Sequence, residues 1–220
     1  MNTTKCIAAL FDFDGVVMDT ETQYSVFWNS VGKKYFPEYE AFGHIIKGQT
    51  LTQIYEKYFQ GMEEEQVQIT AALNRFETEM TYDYISGVTR FMHELREKKV
   101  KIAIVTSSNE KKMANVYAAH PEMKEMVDRI LTAELFAHSK PAPDCFLLGA
   151  EVFDTEPCNC VVFEDSFHGI QAGNAAGMAV VGLATTNPEE AIRDKCMRVI
   201  SDFQSFTYAE MMELLLVKGK

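Results

Sequence analysis

Five short apolar runs, each ending in or followed by polar residues, constrain the fold of this chain more than any other feature of its sequence. They are CIAALF (6–11), VKIAIVT (100–106), NCVVFE (159–164), MAVVGLA (178–184) and the weaker RVISDF (198–203). Each is β-branched or small and apolar on both faces, not at alternate positions only. Strands of that kind belong to a parallel sheet covered by helices on both sides. Between the runs lie helical stretches. GVTRFMHELREKK (87–99) sets Val88, Phe91, Met92 and Leu95 on one stripe and ends in Lys98 and Lys99. SNEKKMANVYAAH opens with Ser108 and Asn109 as candidate N-caps, and SFHGIQAGNAAG runs from a Ser166 cap to Gly177. NPEEAIRDK offers Asn187 as N-cap and Pro188 at the first helical position. The alternation of strand and helix from residue 87 onward predicts an α/β fold.

The stretch between residues 20 and 84 breaks that alternation. It has no strand-like run, and TETQYSVFWNSVGKKYF, TLTQIYEKYF and EEEQVQITAALNRFETEMTYDY all read as helices. Glu63, Glu64 and Glu65 suit the first turn of one of them, where the helix dipole favours negative charge. The expected organisation is an α/β core of residues 1–18 and 86–220 with an inserted all-α cap of residues 19–85.

Bulk properties narrow the function. The chain carries 21 basic and 32 acidic residues, a formal charge of −11, which argues against binding nucleic acid through phosphate neutralisation. Its start, MNTTKCIAALFDFDG, lacks the long apolar stretch of a signal peptide, and no run approaches membrane-spanning length. A cytoplasmic monomer is the expectation. The five cysteines, an odd number at irregular spacings, read as reduced thiols.

Chemistry concentrates where the runs end. In an open α/β sheet, ligands bind beyond the carboxyl ends of the strands. The residues that follow the runs are Asp12, Asp14 and Gly15; Thr106, Ser107, Ser108 and Asn109; and Glu164, Asp165 and Ser166. The connection HSKPAPD adds Lys140 and Asp144. Paired carboxylates repel unless a cation or a shared proton relieves them. Acidic pairs, hydroxyls and one lysine on one rim are the inventory for holding Mg²⁺ and a phosphoryl group. The histidines show no ligand spacing.

In order, DFDGVVMDT, VTSSNE, SKPAPD and VVFEDSFHGIQAGNAAGM resemble the four motifs of the haloacid dehalogenase (HAD) superfamily. The helical insert after the first motif resembles the cap of its β-phosphoglucomutase-like branch. The resemblance implies a Rossmann-like three-layer core and names roles. Asp12 is the nucleophile and Asp14 the general acid and base. Asp12, the Asp14 main-chain carbonyl and Asp165 are Mg²⁺ ligands, with Glu164 beside them. Thr106 and Lys140 hold phosphoryl oxygens, helped by the backbone near Ser107, Ser108 and Asn109, and Gly15 allows the turn beneath the phosphate.

HIIKGQTLTQIY (44–55) resembles the branch's substrate-specificity loop, centred on Lys47, Gly48, Gln49 and Thr50. Two positions depart from the mutase pattern: Leu51 stands where an arginine is usual, and Tyr24 where a histidine is usual. Without a clamp for a second phosphate, water becomes the expected phosphoryl acceptor. The leading expectation is therefore a Mg²⁺-dependent phosphatase of sugar or polyol phosphates. A β-phosphoglucomutase-like phosphotransferase is the alternative, and a non-catalytic metabolite-binding regulator the third.

Overall fold

The computed structural model of the protein describes residues 6–218. Residues 1–5, part of the N-terminal stretch examined for a leader, and the last two residues of the expected core lie outside it. The core is one six-stranded parallel sheet: β1 (Ala8–Phe11), β2 (Lys101–Val105), β3 (Arg129–Leu131), β4 (Cys160–Glu164), β5 (Ala179–Leu183) and β6 (Arg198–Ile200), in the order β3-β2-β1-β4-β5-β6. β1 sits between β2 and β4, with Leu10 level with Ala103 on one side and Val162 on the other.

The apolar runs are buried on both faces, as their composition requires. Along β1 the side chains alternate. Ala9 and Phe11 join one core with Phe91, Phe163 and Phe203, while Ala8 and Leu10 join another with Phe146, Val162 and Ile170. Helices α1 (Glu21–Tyr35), α2 (Phe42–Ile45), α3 (Leu51–Tyr58) and α4 (Glu63–Glu79) precede β2, together with α5 (Val88–Glu97). The remaining helices are α6 (Glu110–Ala119), α7 (Met123–Met126), α8 (Asp144–Glu151), α9 (Phe167–Ala175), α10 (Glu189–Ile192) and α11 (Tyr208–Lys218). Side chains of α5, α6, α7 and α11 cover the first face of the sheet, and those of α8, α9 and α10 the second. The class is α/β, as expected.

The sheet has one strand more than the five apolar runs. β3 is three residues long at the sheet edge, too short to show in the sequence. The run RVISDF is a strand only over Arg198–Ile200. Its Phe203 instead stacks on Phe91, ring centroids 5.5 Å apart. α10 begins one residue later than expected: Pro188 takes the cap position and Asn187 is released for another task.

Helices α1 to α4 share an apolar core of their own, built around Trp28, Phe42, Ile54, Phe59, Ile69 and Leu73. The two segments that connect this layer to the sheet run side by side. Asp19 donates its N–H to the Asp83 carbonyl at 2.8 Å, and Ile85 donates to Val17 at 2.9 Å. Among the described residues, no helix is long and apolar enough to cross a membrane. All five cysteines are free.

Candidate active site

The chain leaves β1 at the point where the strand order reverses, and there Asp12 donates its N–H to the carbonyl of Phe163 on β4 at 2.9 Å. Gly15 then takes φ +73°, and a Cβ on it would lie 2.1 Å from Asp165 Oδ2, so both the turn and the close approach exclude a side chain. Asp12 and Asp14 part company. Asp12 accepts a bond from Lys140 Nζ at 2.5 Å. Asp14 faces α6, where both its oxygens accept from Lys112 Nζ, at 2.5 and 2.6 Å. The Ser108 hydroxyl donates to it at 3.0 Å, and the Thr20 hydroxyl also donates to it.

Beside Asp12, oxygens of Asp12, Glu164 and Asp165 lie within 4.8 Å of one another, all buried. Glu164 is the most engaged of the three. Its Oε2 accepts from the Asp165 and Ser166 N–H groups, each at 2.9 Å, and from the Ser166 hydroxyl at 3.0 Å. Its Oε1 accepts from Lys140 at 2.7 Å. Gly169 makes this possible, because a Cβ there would sit 1.6 Å from Glu164 Oε1. Asp165 accepts a bond from the Thr186 hydroxyl, and its carbonyl accepts from the Asn187 side chain at 2.8 Å. Burial pushes the Asp12 carboxyl up to about 8, with Glu164 adding to the rise and Lys140 opposing it. Burial, and then Glu164, raises Asp165 well above the usual carboxylate range. Lys140 keeps its charge although burial works against it, because Asp12 and Glu164 push its pKa upward. Once ionised, three buried carboxylates against one ammonium leave an excess of negative charge in an all-oxygen donor set, which a hard divalent cation satisfies.

These groups line one end of a cavity of about 140 Å³ between the sheet and the helical layer. Ser107, Ser108 and Asn109 border it. The Ser107 hydroxyl is buried with no hydrogen-bond partner, unlike every other buried side-chain oxygen or nitrogen among the described residues. From the helical layer, Tyr24, Gly48 and Gln49 reach the wall. Thr106, Lys47 and Thr50 do not. The buried Thr106 hydroxyl accepts from the Ser108 N–H at 3.0 Å, bracing the loop. Lys47 pairs with Glu21 at 3.3 Å. Thr50 caps α3: its hydroxyl accepts from the Gln53 N–H, and the Gln53 side chain accepts from the Thr50 N–H.

A family model for haloacid dehalogenase-like hydrolases matches residues 9–183, most of the chain. The chain belongs to this family. The fructose-1-phosphate phosphatase YqaB of Escherichia coli is 33% identical over 183 residues, 78% of this chain and 93% of that one. The chain matches the Arabidopsis thaliana protein SUPPRESSOR OF QUENCHING 1 at 35% identity over 117 residues, but spans only 11% of that protein's length. A solved structure of β-phosphoglucomutase from Clostridium difficile superposes with a TM-score of 0.79 at 24% identity, covering 96% of this chain and 98% of that one. This shows the shared fold. The chain is an enzyme of phosphoryl transfer or hydrolysis.

Within this haloacid dehalogenase-like site, several polar residues escaped the sequence reading. Lys112 is 3% exposed, with Nζ 4.5 Å from the centre of the Tyr24 ring. Its signal was weak but present. It lies three residues after the Asn109 cap, and helical side chains tilt toward the N-terminus, so a lysine there leans back over the strand ends. Choosing Lys112 over Lys111 needs the helix rotation. Glu21 and Glu77, from the helical layer, lie in no motif, and Thr20 ends DFDGVVMDT but shows only in the fold as a donor to Asp14. Asn187 read as a helix cap, and only the folded loop shows it holding Asp165.

Proposed function

We propose that this enzyme is a Mg²⁺-dependent phosphatase of small phosphorylated metabolites, sugar or polyol phosphates. The observation that carries the reading is the separation of the two aspartates within one cavity. Asp12 lies among buried carboxylates and Lys140, and Asp14 is turned toward Lys112 and the leaving-group side. Mg²⁺ fits the donor set: Asp12, Asp165 and the Asp14 main-chain carbonyl would hold it, with Glu164 alongside orienting Lys140 and the Asp165 loop. It would supply charge neutralisation for the phosphoryl oxygens.

The protein's own groups carry the steps. An Asp12 carboxylate oxygen attacks phosphorus and forms an aspartyl-phosphate. Asp14 gives a proton to the departing alcohol oxygen, then takes one from the water that hydrolyses the intermediate. Lys140 and the Ser107 hydroxyl hold phosphoryl oxygens. The helical layer, residues 19–85, acts as a cap that excludes bulk water and selects the substrate. Water is favoured over a sugar hydroxyl as acceptor because the cations bordering the cavity, Lys112 and Lys140, both come from the core. Lys47 is spent on Glu21, and Lys57 lies over the Tyr58 ring at 5.0 Å.

Phosphorus NMR with a panel of sugar phosphates tests this. Free phosphate is expected to grow with Mg²⁺ present, to stop with chelator, and to fall at least about a thousandfold in Asp12→Asn. Conversion of β-glucose 1-phosphate to glucose 6-phosphate without free phosphate would establish the mutase instead.

A further inference from the structure

The leaving-group end of the cavity carries a carboxylate that the hydrolysis above leaves unused. Glu77 projects from α4, is 6% exposed and borders the cavity. The Tyr24 hydroxyl donates to one of its oxygens at 2.8 Å. Its backbone carbonyl accepts from the Tyr82 hydroxyl at 2.6 Å and from the Asn115 side chain at 3.4 Å, so the residue is held from several sides. Among the described residues, no lysine or arginine forms an ion pair with it. Of the two lysines whose charge reaches it, Lys112 is committed to Asp14 at 2.5 Å, and Lys111 is exposed and does not border the cavity. The neighbouring wall is apolar: Trp28, Leu51, Ile54 and Leu73. Elsewhere on the cavity wall, the unpartnered Ser107 hydroxyl independently marks the cavity as a place that awaits a polar ligand.

A second phosphate or a carboxylate on the leaving group would meet Glu77 here, while Lys112, the cavity-lining lysine whose charge reaches Glu77, is held by Asp14. A hydroxyl would find an acceptor. Resting on the phosphatase reading, we propose that Glu77 determines specificity. Its carboxylate accepts hydrogen bonds from the hydroxyls of an uncharged, polyhydroxylated leaving group and rejects leaving groups that carry a second anionic group. Trp28 and Leu73 pack the carbon skeleton of that leaving group.

The test compares kcat/KM with Mg²⁺ for glycerol 1-phosphate and fructose 1-phosphate against phosphoglycolate and fructose 1,6-bisphosphate, with p-nitrophenyl phosphate as a general reporter. The wild type is expected to favour the uncharged leaving groups by at least about tenfold, and Glu77→Gln to shrink that ratio about tenfold, as loss of a charged acceptor allows. If phosphate is released but the anionic substrates are used as well or better, the proposal is overturned and the phosphatase reading stands. An unchanged ratio in a folded Glu77→Gln, checked by thermal unfolding, overturns it equally. Should that variant not fold, the wild-type ratio alone decides. If not even p-nitrophenyl phosphate is cleaved, both readings fall.

Discussion

At the scale of single residues, Gly15 beside Asp165 and Gly169 beside Glu164 do as much for the site as the acids they serve. Gly169 leaves room for Glu164 Oε1, which approaches to 1.6 Å from where a Cβ would stand. Gly169→Ala must displace that carboxylate or the helix, and overpacking of this kind costs about 1–3 kcal/mol. Urea unfolding should show a loss in that range, together with a fall in activity as Lys140 loses its partner. A variant as stable and active as the wild type would mean that Glu164 has another comfortable place. Lys112 teaches the converse lesson. Its identity is plain in the sequence, but its importance comes from pointing both oxygens of Asp14. Neither aspartate of the DFDG stretch could be given its surroundings from the motif alone.

Elements show how local signals succeed or fail. Two helix starts with side-chain caps were legible: Asn109 accepts from the Lys112 N–H, and Ser166 from the Gly169 N–H. Local hydrogen bonds decide such starts, and they involve residues three apart. Thr50 was legible only as a polar residue in a loop that resembles a specificity loop. Its role is the reciprocal cap of α3. Thr50→Ala should therefore destabilise the protein by about 1 kcal/mol. The Michaelis constant for the preferred substrate should stay within about threefold, since Thr50 does not border the cavity. A tenfold rise in KM at unchanged stability would return Thr50 to the substrate. β3 and the shortened β6 went unseen or overlong for one reason. Three-residue edge strands bury too little to leave an apolar run.

For the whole molecule, the buried acids tie stability to pH. Asp12 is pushed up to about 8, and Asp165 is raised as well, both chiefly by burial. Burial also raises Glu21 and Glu77. In the unfolded chain these carboxyls titrate near about 4, so between pH 5 and 8 the folded state binds more protons than the unfolded one. Stability of the metal-free protein should thus be greatest at the acid end of that window and fall as pH rises through about 8. Glu122, Asp144 and Glu210 are held below their usual range and contribute the opposite slope only at lower pH. Mg²⁺ should raise the melting temperature most at pH 8, where the carboxylates it would neutralise are charged. Thermal melts across pH 5.5 to 8 check both statements. A melting temperature that climbs with pH in chelator would contradict the buried-acid argument.

By itself the sequence determined the layered α/β core, because runs apolar on both faces have no stable home but a covered parallel sheet. It determined the inventory of the site too, since polar residues that end such strands emerge on one rim. The tertiary structure decided the pairings: Lys140 with Asp12 and Glu164, Lys112 with Asp14, Tyr24 with Glu77, Asn187 with Asp165. Each joins residues far apart in the chain, and which charge meets which depends on helix rotation and on how the helical layer seats over the sheet. Periodicity and spacing along one strand of sequence carry no record of either.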